Sequence, residues 1–312
     1  MAEGPLPKPG PNQFLVRATY LSVDPFLRLL MNPQSGYGPA AGRADVMVGA
    51  LLGKVVESNN AGYTVGETVE GLLGWQTHAI SDGSGNPMHN PEGVIKCDLT
   101  IAPDVAWASV LGRPGMTSYF ALLRDCKPQP GEAVVVSGGA GAVGSVAGQI
   151  AKIKGCRVVG LAGSDKKAKW LTEDLGFDAA INYKTTKDMG DALRSACPNG
   201  IDVHFDNVGG TIADTINGQL NEGARTTRVG VISHYNDDND GQPWIWPEDQ
   251  PMFIVHEWVK EYDEARRDIA QWIAEGRLKY RVTIVDGFEN TPRAFIGVLR
   301  GDNIGKMLVR VG

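Results

Sequence analysis

Apolar and polar positions alternate along the centre of the chain in a regular order. Short apolar runs occur near Val134, Arg157, Ala179, Ile201 and Ala224, and segments with helical spacing of apolar residues lie between them. Short runs bounded by glycine and polar residues predict strands. Because these strands alternate with helices, the pattern predicts a parallel sheet with helices packed on it.

The first 108 residues have a different texture. Short apolar runs such as 14–16 and 51–56 are interrupted by Gly, Pro and Asn, and few segments show a helical period. This predicts an irregular β domain. We therefore expect a β domain over residues 1–108 and a dinucleotide-binding domain over residues 109–275.

The C-terminal part combines one helix with elements that return to the β domain. Ala265, Ile269, Trp272 and Ile273 fall on one face of a predicted helix, so Trp272 is expected in the core. A strand at 282–285, a helix starting at Thr291-Pro292 and a strand at 306–311 follow. We assign residues 276–312 to the β domain.

A glycine-rich turn follows the first central strand. Gly139, Gly141 and Gly144 form G-x-G-x-x-G between the apolar run 134–136 and a helical segment. In a dinucleotide site the first glycine permits a tight turn, the second lets the backbone approach the pyrophosphate, and the third allows close helix–strand packing. An ordinary glycine-rich turn is the alternative, but the order of strand, turn, helix and strand favours a redox cofactor.

The end of the second central strand indicates which cofactor binds. An NAD site places an acid about 20 residues after the glycines, to hold the ribose hydroxyls. Here the chain reads Ser164-Asp165-Lys166-Lys167, and the two ammonium groups suit a ribose 2′-phosphate. The sequence thus favours NADPH, while a solvated helix face for the two lysines stays open.

A second polar position is expected at the same edge of the sheet. The predicted strand Ile201–Asp206 leads into Asn207-Val208-Gly209-Gly210. Ligands of open α/β sheets bind beyond the carboxyl ends of the strands, so Asn207 is a candidate cofactor contact. The alternative is an ordinary turn asparagine.

Composition narrows the classes of partner. The chain has 312 residues and a net charge of −6, from 30 basic and 36 acidic residues. It has no basic run, no apolar stretch of membrane length and no signal-peptide pattern, so we expect no nucleic-acid partner, no membrane partner and a cytoplasmic location. A chain of this length predicts two domains.

Metal and nucleophile motifs are missing from the sequence. The four cysteines lie at 97, 126, 156 and 197 without a C-x-x-C pair, and the five histidines are dispersed, so we expect free thiols and no zinc site. There is neither a G-x-S-x-G elbow nor a P-loop. Hydride transfer without a metal is the chemistry that remains.

Five motifs in order carry a resemblance to a known family. They are YLSVDP (20–25), PGMTSYF (114–120), SGGAGAVGSVAGQIAKIKGCRVVGLAGS (137–164), FDNVGG (205–210) and ISHYN (232–236). Over nearly its whole length the chain resembles the zinc-independent, NADPH-dependent double-bond reductases, which include alkenal, prostaglandin and curcumin reductases of the medium-chain dehydrogenase/reductase superfamily.

The resemblance implies a fold and a cofactor site. It implies a GroES-like irregular β domain and a Rossmann domain with a doubly wound parallel sheet, an active site in the cleft between them, and a homodimer. The turn Gly141-Ala142-Val143-Gly144, with Gly139, would hold the pyrophosphate, and Lys167 and Tyr183 would lie at the 2′-phosphate. The rest of NADPH would be lined by Asn207, by the end of a strand at Val229, Gly230, Val231, Ile232, Ser233, His234 and Tyr235, by the strand segment Phe253, Ile254 and Val255, and by Asn303.

Tyr235 is the candidate catalytic residue. Hydride delivery to the β-carbon of an unsaturated aldehyde or ketone places negative charge on the carbonyl oxygen, and a positioned phenol can stabilise this enolate by hydrogen bonding. The α-carbon then takes a proton from solvent or from the phenol, and the sequence leaves both donors open. The alternative role for Tyr235 is a loop tyrosine that only contacts the cofactor.

Some positions depart from the family pattern. Met1 falls inside the usual opening strand of the β domain, which predicts a short N-terminus that lacks a strand, and Phe26 stands where a tyrosine is frequent. Arg113 and Arg228 occupy normally apolar positions, so each needs a partner or water and predicts local strain. The connection 237–251 is shorter than in relatives, where it helps build the subunit interface.

These departures keep two other functions open. An NADPH:quinone oxidoreductase shares the fold, the cofactor and the lack of zinc. A truncated protein that binds the cofactor without turnover is the other alternative. The retained ISHYN tyrosine and the FDNVGG motif favour the double-bond reductase.

Overall fold

The computed structural model describes residues 3–31, 46–86, 90–239, 242–243 and 251–312. The chain forms two compact units, one from Met1–Gly112 and Val282–Gly312, the other from Arg113–Arg281. The boundaries expected after residues 108 and 275 stay a prediction.

Fourteen strands occur in the described part of the chain. They are β1 (Phe14–Val23), β2 (Leu51–Ser58), β3 (Thr68–Gly71), β4 (His78–Ser81), β5 (Ile95–Lys96), β6 (Ala133–Val136), β7 (Arg157–Ala162), β8 (Ala179–Asn182), β9 (Ile201–Asp206), β10 (Leu220–Arg228), β11 (Asp238–Asn239), β12 (Gln242–Pro243), β13 (Val282–Asp286) and β14 (Lys306–Arg310).

Helices connect many of these strands. The α-helices are α1 (Leu27–Leu30), α2 (Asp104–Trp107), α3 (Arg113–Phe120), α4 (Gly144–Ile153), α5 (Asp165–Glu173), α6 (Met189–Ala196), α7 (Gly210–Asn217), α8 (Tyr262–Ala274) and α9 (Thr291–Arg300). A π-helix spans Ala121–Cys126, and 3₁₀ helices span Ile232–His234, Val255–Glu261 and Phe288–Asn290. Among the described residues, no helix is long and apolar enough to cross a membrane.

The first unit is built on a seven-stranded sheet in the order β13-β14-β1-β2-β3-β5, with β4 also paired to β1. Most neighbours are antiparallel, whereas β13 and β14 run parallel. Its apolar core includes Phe14, Leu21 and Leu51, each fully buried. Lys306 Nζ donates hydrogen bonds to Val23 O at 2.7 Å and to Asp24 Oδ1 at 2.9 Å, and so ties β14 to the end of β1.

The second unit contains a five-stranded parallel sheet in the order β10-β9-β6-β7-β8. All four residues of β6 are buried, as expected for a strand covered on both faces by helices. The five central strands predicted from the apolar runs are confirmed. So is the predicted fold class, a GroES-like β domain combined with a doubly wound Rossmann domain.

The C-terminal helices also agree with the sequence pattern. Ala265, Ile269 and Trp272 are buried on one face of α8, which confirms Trp272 as a core residue. Helix α9 begins at Thr291 and carries proline in its first turn. The predicted last strand, 306–311, ends one residue earlier, at Arg310.

The segment after β10 differs from the prediction. The strand end expected over 229–235 is instead a short loop followed by the 3₁₀ turn Ile232–His234. The predicted strand at 253–255 is wrong: Phe253 N donates one backbone hydrogen bond to Arg228 O at 2.8 Å, and a 3₁₀ helix already begins at Val255. In the connection 237–251, residues 240–241 and 244–250 lie outside the described ranges, and the subunit interface expected there stays a prediction.

Helix α4 packs directly on the turn that follows β6. A Cβ atom added to Gly144 would lie 2.6 Å from Gly138 O and 2.9 Å from Gly139 Cα. Both neighbours are backbone atoms, which cannot move aside as a flexible side chain can. The third glycine of the fingerprint is therefore required by packing, as the sequence analysis expected.

We predict that Gly144→Ala lowers the free energy of unfolding by about 1–3 kcal/mol, as for other overpacked sites. Helix propensity alone would change it in the opposite direction by about 1 kcal/mol. The matched control is Gly218→Ala at the end of α7, where φ is −67° and the nearest atom to an added Cβ is Asp214 O at 3.5 Å. Urea unfolding of the two variants measures the difference, and equal stabilities would contradict this packing argument.

Candidate functional site

The strand order of the second unit creates one switch point. From β6 the chain proceeds outward to β7 and β8 on one side, and from β9 to β10 on the other. In open parallel sheets of this kind, ligands bind beyond the carboxyl ends of the two central strands, here β6 and β9. The residues that follow these two strands are therefore the candidate ligand-binding residues.

Ser137 and Asn207 join the two strand ends. Asn207 N donates to Ser137 Oγ at 2.8 Å, and Asn207 Nδ2 donates to Ser137 O at 2.7 Å. A Cβ atom on Gly138 would lie 3.4 Å from Asn207 Cβ. The structure thus places Asn207 against the glycine turn, although the two lie about 70 residues apart in the sequence.

The tight turn occurs one residue earlier than the sequence analysis assigned it. Gly138, not Gly139, has the positive φ of 60° that side-chain-bearing residues rarely adopt. Gly139 N donates to Leu161 O at 2.8 Å, which holds the turn beside β7. The chain then passes through residues 141–143 into α4, where Ser145 N donates to Gly141 O at 3.1 Å and Val146 N donates to Val143 O at 3.2 Å.

This turn has the features of a phosphate cradle. Added Cβ atoms on Gly141 and Gly144 would lie 3.2 Å and 2.6 Å from Gly138 O. Side chains at these two positions would crowd the turn, and glycine leaves its backbone exposed to a ligand. Backbone without side chains at the start of a helix suits a phosphate group, because the positive end of the helix dipole favours an anion there. The arrangement fits the pyrophosphate of a dinucleotide.

A second group of residues lies at the carboxyl ends of β7 and β8. Ser164 caps α5 by accepting a hydrogen bond from Lys167 N at 3.3 Å. A Cβ atom on Gly163 would lie 2.7 Å from Tyr183 Oη and 3.3 Å from Lys184 Cε. The structure therefore brings Tyr183 close to the start of α5, which carries Lys167, and it adds Lys184, which the sequence analysis did not select.

Asp165 is hydrogen-bonded to the neighbouring strand. Its Oδ1 accepts a hydrogen bond from Asn182 Nδ2 at 2.6 Å, so the carboxylate is engaged by the last residue of β8. Lys167 and Lys184 contribute cationic side chains at this end of the sheet. Their sign fits a 2′-phosphate better than an unmodified ribose.

Tyr235 is buried directly after the 3₁₀ turn Ile232–His234. Its Oη accepts a hydrogen bond from Val231 N at 3.4 Å, and a Cβ atom on Gly230 would lie 3.2 Å from it. Ser233 N donates to Val208 O at 3.1 Å. The turn that carries Tyr235 is therefore attached to the loop after β9, at the switch point.

The remaining predicted cofactor contacts, 253–255 and Asn303, lie in different parts of the chain. Phe253 is hydrogen-bonded to the end of β10, Ile254 is exposed and Val255 is buried. Asn303 lies in the other unit, where its Nδ2 donates to Gly305 O at 2.6 Å and shapes the turn before β14. Its role at the cofactor stays a prediction, as does that of 253–255.

Two buried residues at the switch point were missed by sequence reasoning. Ser137 and Asp206 are both 0% exposed, and Ser137 Oγ donates to Asp206 Oδ1 at 2.8 Å. The signal that could have found them is a polar residue at the end of each of two otherwise buried apolar strands, since such groups require partners.

The cysteines are unsuited to nucleophilic chemistry. All four are free thiols and buried. Burial raises the pKa of Cys126 to about 12 and the pKa values of Cys156 and Cys197 to about 11. These three thiols remain protonated at neutral pH, whereas the thiolate is the reactive form. Within the described ranges, no group of three or more His, Cys, Asp or Glu side chains is arranged to hold a metal ion.

Comparison with known proteins connects this geometry to a family. Residues 1–88 match the family described as the N-terminal domain of oxidoreductase, and residues 142–248 match the family described as zinc-binding dehydrogenase. Prostaglandin reductase 1 of Rattus norvegicus is 42% identical, over 98% of this chain and 91% of that protein. The NADPH-dependent curcumin reductase of Escherichia coli K12 is 37% identical, over 100% and 91%.

A solved structure gives the same result. CurA of Vibrio vulnificus, crystallised in complex with NADPH, is 36% identical and superposes with a TM-score of 0.88, over 100% of this chain and 93% of CurA. The two sequence relatives and the CurA structure each match nearly the whole of this chain. The chain therefore belongs to the NADPH-dependent double-bond reductase group of the medium-chain dehydrogenase/reductase superfamily, with the prostaglandin and curcumin reductases, and is an NADP-dependent oxidoreductase acting on CH–CH donors.

Proposed function

We propose that this protein uses NADPH to reduce the carbon–carbon double bond of α,β-unsaturated aldehydes and ketones. The observation that carries the proposal is the attachment of the Tyr235 turn to the loop after β9, through Ser233 N and Val208 O at 3.1 Å. This places a buried phenol beside the switch point, where dinucleotides bind in sheets of this topology. A phenol there can meet a substrate that lies against the cofactor.

The cofactor site follows the chain from the turn after β6 to the end of β8. Residues 141–144 would hold the pyrophosphate, and Lys167 with Tyr183 and Lys184 would hold the 2′-phosphate. Asn207 and residues 229–235 would line the nicotinamide half. When bound, NADPH supplies the hydride.

Tyr235 would act on the charge that develops on the substrate. As the β-carbon accepts hydride, electron density moves to the carbonyl oxygen, and the Tyr235 O–H would donate a hydrogen bond to that oxygen. Such a bond is strongest in a water-excluded place, and Tyr235 is only 8% exposed. The bond from Val231 N fixes the orientation of the phenol oxygen before substrate arrives. The α-carbon would take its proton from solvent or from this phenol.

The first experiment mixes purified protein with NADPH and a medium-chain 2-alkenal, follows the loss of cofactor absorbance, and identifies the product by mass spectrometry. We expect the saturated aldehyde. A quinone is assayed in parallel, because NADPH oxidation by the quinone alone would identify a quinone oxidoreductase instead. NADPH binding without oxidation by either acceptor would indicate a cofactor-binding protein without turnover, and would contradict the proposal.

Lys167→Ala tests the 2′-phosphate site. We expect the Kd for NADPH to rise about tenfold or more while the Kd for NADH is unchanged, since a hydrogen bond to a charged group is worth about 1.5–3 kcal/mol. Lys166→Ala is the matched control, because Lys166 is the exposed neighbour on the same helix. Equal changes for both cofactors would remove Lys167 from the phosphate site.

Tyr235→Phe tests the oxyanion role. We expect kcat to fall by about 10²–10³, the usual effect of losing one oxyanion donor, with little change in the Kd for NADPH. Tyr119→Phe is the control for loss of a buried phenol, because Tyr119 Oη donates to Asp268 Oδ2 at 2.6 Å, outside the predicted site. Turnover by Tyr235→Phe equal to that of the Tyr119→Phe control would exclude Tyr235 from the mechanism.

A further inference from the structure

Asp206 is a fully buried carboxylate at the carboxyl end of β9. Its Oδ1 accepts hydrogen bonds from Ser137 Oγ at 2.8 Å, Val208 N at 2.9 Å and Gly209 N at 3.0 Å. All three donors converge on Oδ1, whereas the buried Oδ2 accepts no hydrogen bond in the described structure. They fix the strand end, the following loop and the neighbouring strand in one arrangement.

The bonds of Asp206 reach both halves of the candidate site. Ser137 Oγ, which donates to Asp206, also accepts from Asn207 N at 2.8 Å and immediately precedes the glycine turn. Val208, whose N–H is held by Asp206, accepts from Ser233 N through its own carbonyl oxygen, beside Tyr235. The carboxylate therefore lies between the turn that would hold phosphate and the turn that carries the phenol.

The loop held by Asp206 has a demanding conformation. Gly209 and Gly210 have φ values of 72° and 58°, which glycine adopts readily and other residues avoid. Glycine is also the most flexible residue in the absence of restraint. The bonds from Val208 N and Gly209 N to the carboxylate supply that restraint just before α7 begins.

Arg228 faces the other oxygen of the same carboxylate. It is the register partner of Asp206 on β10, and its Nε lies 3.7 Å from Asp206 Oδ2. The arginine side chain is 17% exposed, so most of it is removed from water. An arginine this far from water needs a partner, and Asp206 provides it.

His204 does not supply the opposite charge. It lies on the same face of β9, with Nε2 3.8 Å from Asp206 Oδ1, and Nδ1 is 2.8 Å from Asn217 Oδ1. Burial lowers the pKa of His204, although the nearby carboxylate acts in the opposite direction, so the ring is neutral at pH 7. The guanidinium of Arg228 is the cation paired with Asp206 in the described structure.

We propose that Asp206 is a positioning residue for the cofactor, that it sets the geometry of both the glycine turn and the Tyr235 turn, and that Arg228 is its countercharge. The inference rests on the cofactor placement proposed above. Asp206 acts through Ser137, Val208 and Gly209, and touches neither phosphate nor substrate.

The test measures the Kd for NADPH by fluorescence titration, without substrate, together with the melting temperature. Asp206→Ala should raise the Kd about tenfold or more, the factor that corresponds to leaving buried donors unsatisfied. Asp202→Ala is the matched control at the amino end of the same strand, where Asp202 accepts from Ala133 N and Asn221 Nδ2, each at 2.8 Å. It should lower the melting temperature but leave the Kd within about twofold of wild type.

Two further variants separate positioning from stability. Ser137→Ala retains the buried ion pair but breaks the bridge to the glycine turn, so it should raise the Kd with a small change in melting temperature, even if Asp206→Ala fails to fold. The double variant Asp206→Asn with Arg228→Met retains a carbonyl acceptor and removes both charges, so it should bind NADPH more tightly than Arg228→Met alone, which leaves an unpaired buried charge.

The opposite results would overturn the inference. If Ser137→Ala binds NADPH with the wild-type Kd, Asp206 is only structural. The same conclusion holds if Asp206→Ala, like Asp202→Ala, lowers the melting temperature but leaves the Kd within about twofold of wild type. These readouts need no turnover. A wild-type protein that binds NADPH without reducing alkenals would contradict the proposed function and would leave this test valid.

Discussion

The carboxylate of Asp206 is the constraint on which the arrangement of the candidate site depends. Strands β6 and β9 are neighbours in the sheet, but their ends are followed by glycine-rich turns that have little stiffness of their own. One buried oxygen with three donors joins both turns, and the arginine on β10 balances its charge. A buried charge is costly unless it is paired and hydrogen-bonded. Here Oδ1 takes all the hydrogen bonds, and Oδ2 lies 3.7 Å from Arg228 Nε without a hydrogen bond of its own.

The backbone and side-chain groups at this edge of the sheet differ from one strand end to the next. The turn after β6 presents backbone without side chains, because Gly141 and Gly144 have none and an added Cβ on either would lie close to Gly138 O. At the ends of β7 and β8, Lys184 and Tyr183 instead provide an ammonium group and a phenol, and Asp165 accepts a hydrogen bond from Asn182. The separation matches a ligand that has a pyrophosphate in its middle and a further phosphate at one end.

The parts of this structure that depend on local pattern could be predicted from sequence. Apolar runs located the five parallel strands, and the spacing of the glycines located the turn after β6, because strand burial and tight turns leave direct marks on residue type. Lys167 was predicted from its charge and from the family resemblance, and Tyr183 from the resemblance alone. The structure places Tyr183 beside Gly163, close to the start of α5, which carries Lys167. Whether they bind the cofactor is a matter for experiment.

The remaining features depend on register or on competition between neighbours. The pairing of Arg228 with Asp206 requires the alignment of β10 with β9, which no local pattern states. The positive φ occurs at Gly138, which lies against Asn207, while Gly139 N is hydrogen-bonded to Leu161 O. These contacts come from other strands, so glycine spacing alone could not distinguish Gly138 from Gly139. The strand expected at 253–255 is replaced by a 3₁₀ helix, although its residues have strong β propensity, because local propensity yields to tertiary context.

A crystal structure of the protein with NADP⁺ and a saturated aldehyde product would show whether Tyr235 contacts a substrate held against the cofactor. We predict the pyrophosphate against the backbone of residues 141–144, and the aldehyde oxygen within about 2.6–3.2 Å of Tyr235 Oη, the range of a catalytic hydrogen bond. A cofactor bound away from the ends of β6 and β9, or an aldehyde oxygen held by another donor with Tyr235 distant from it, would contradict the proposed cofactor site or the proposed role of Tyr235.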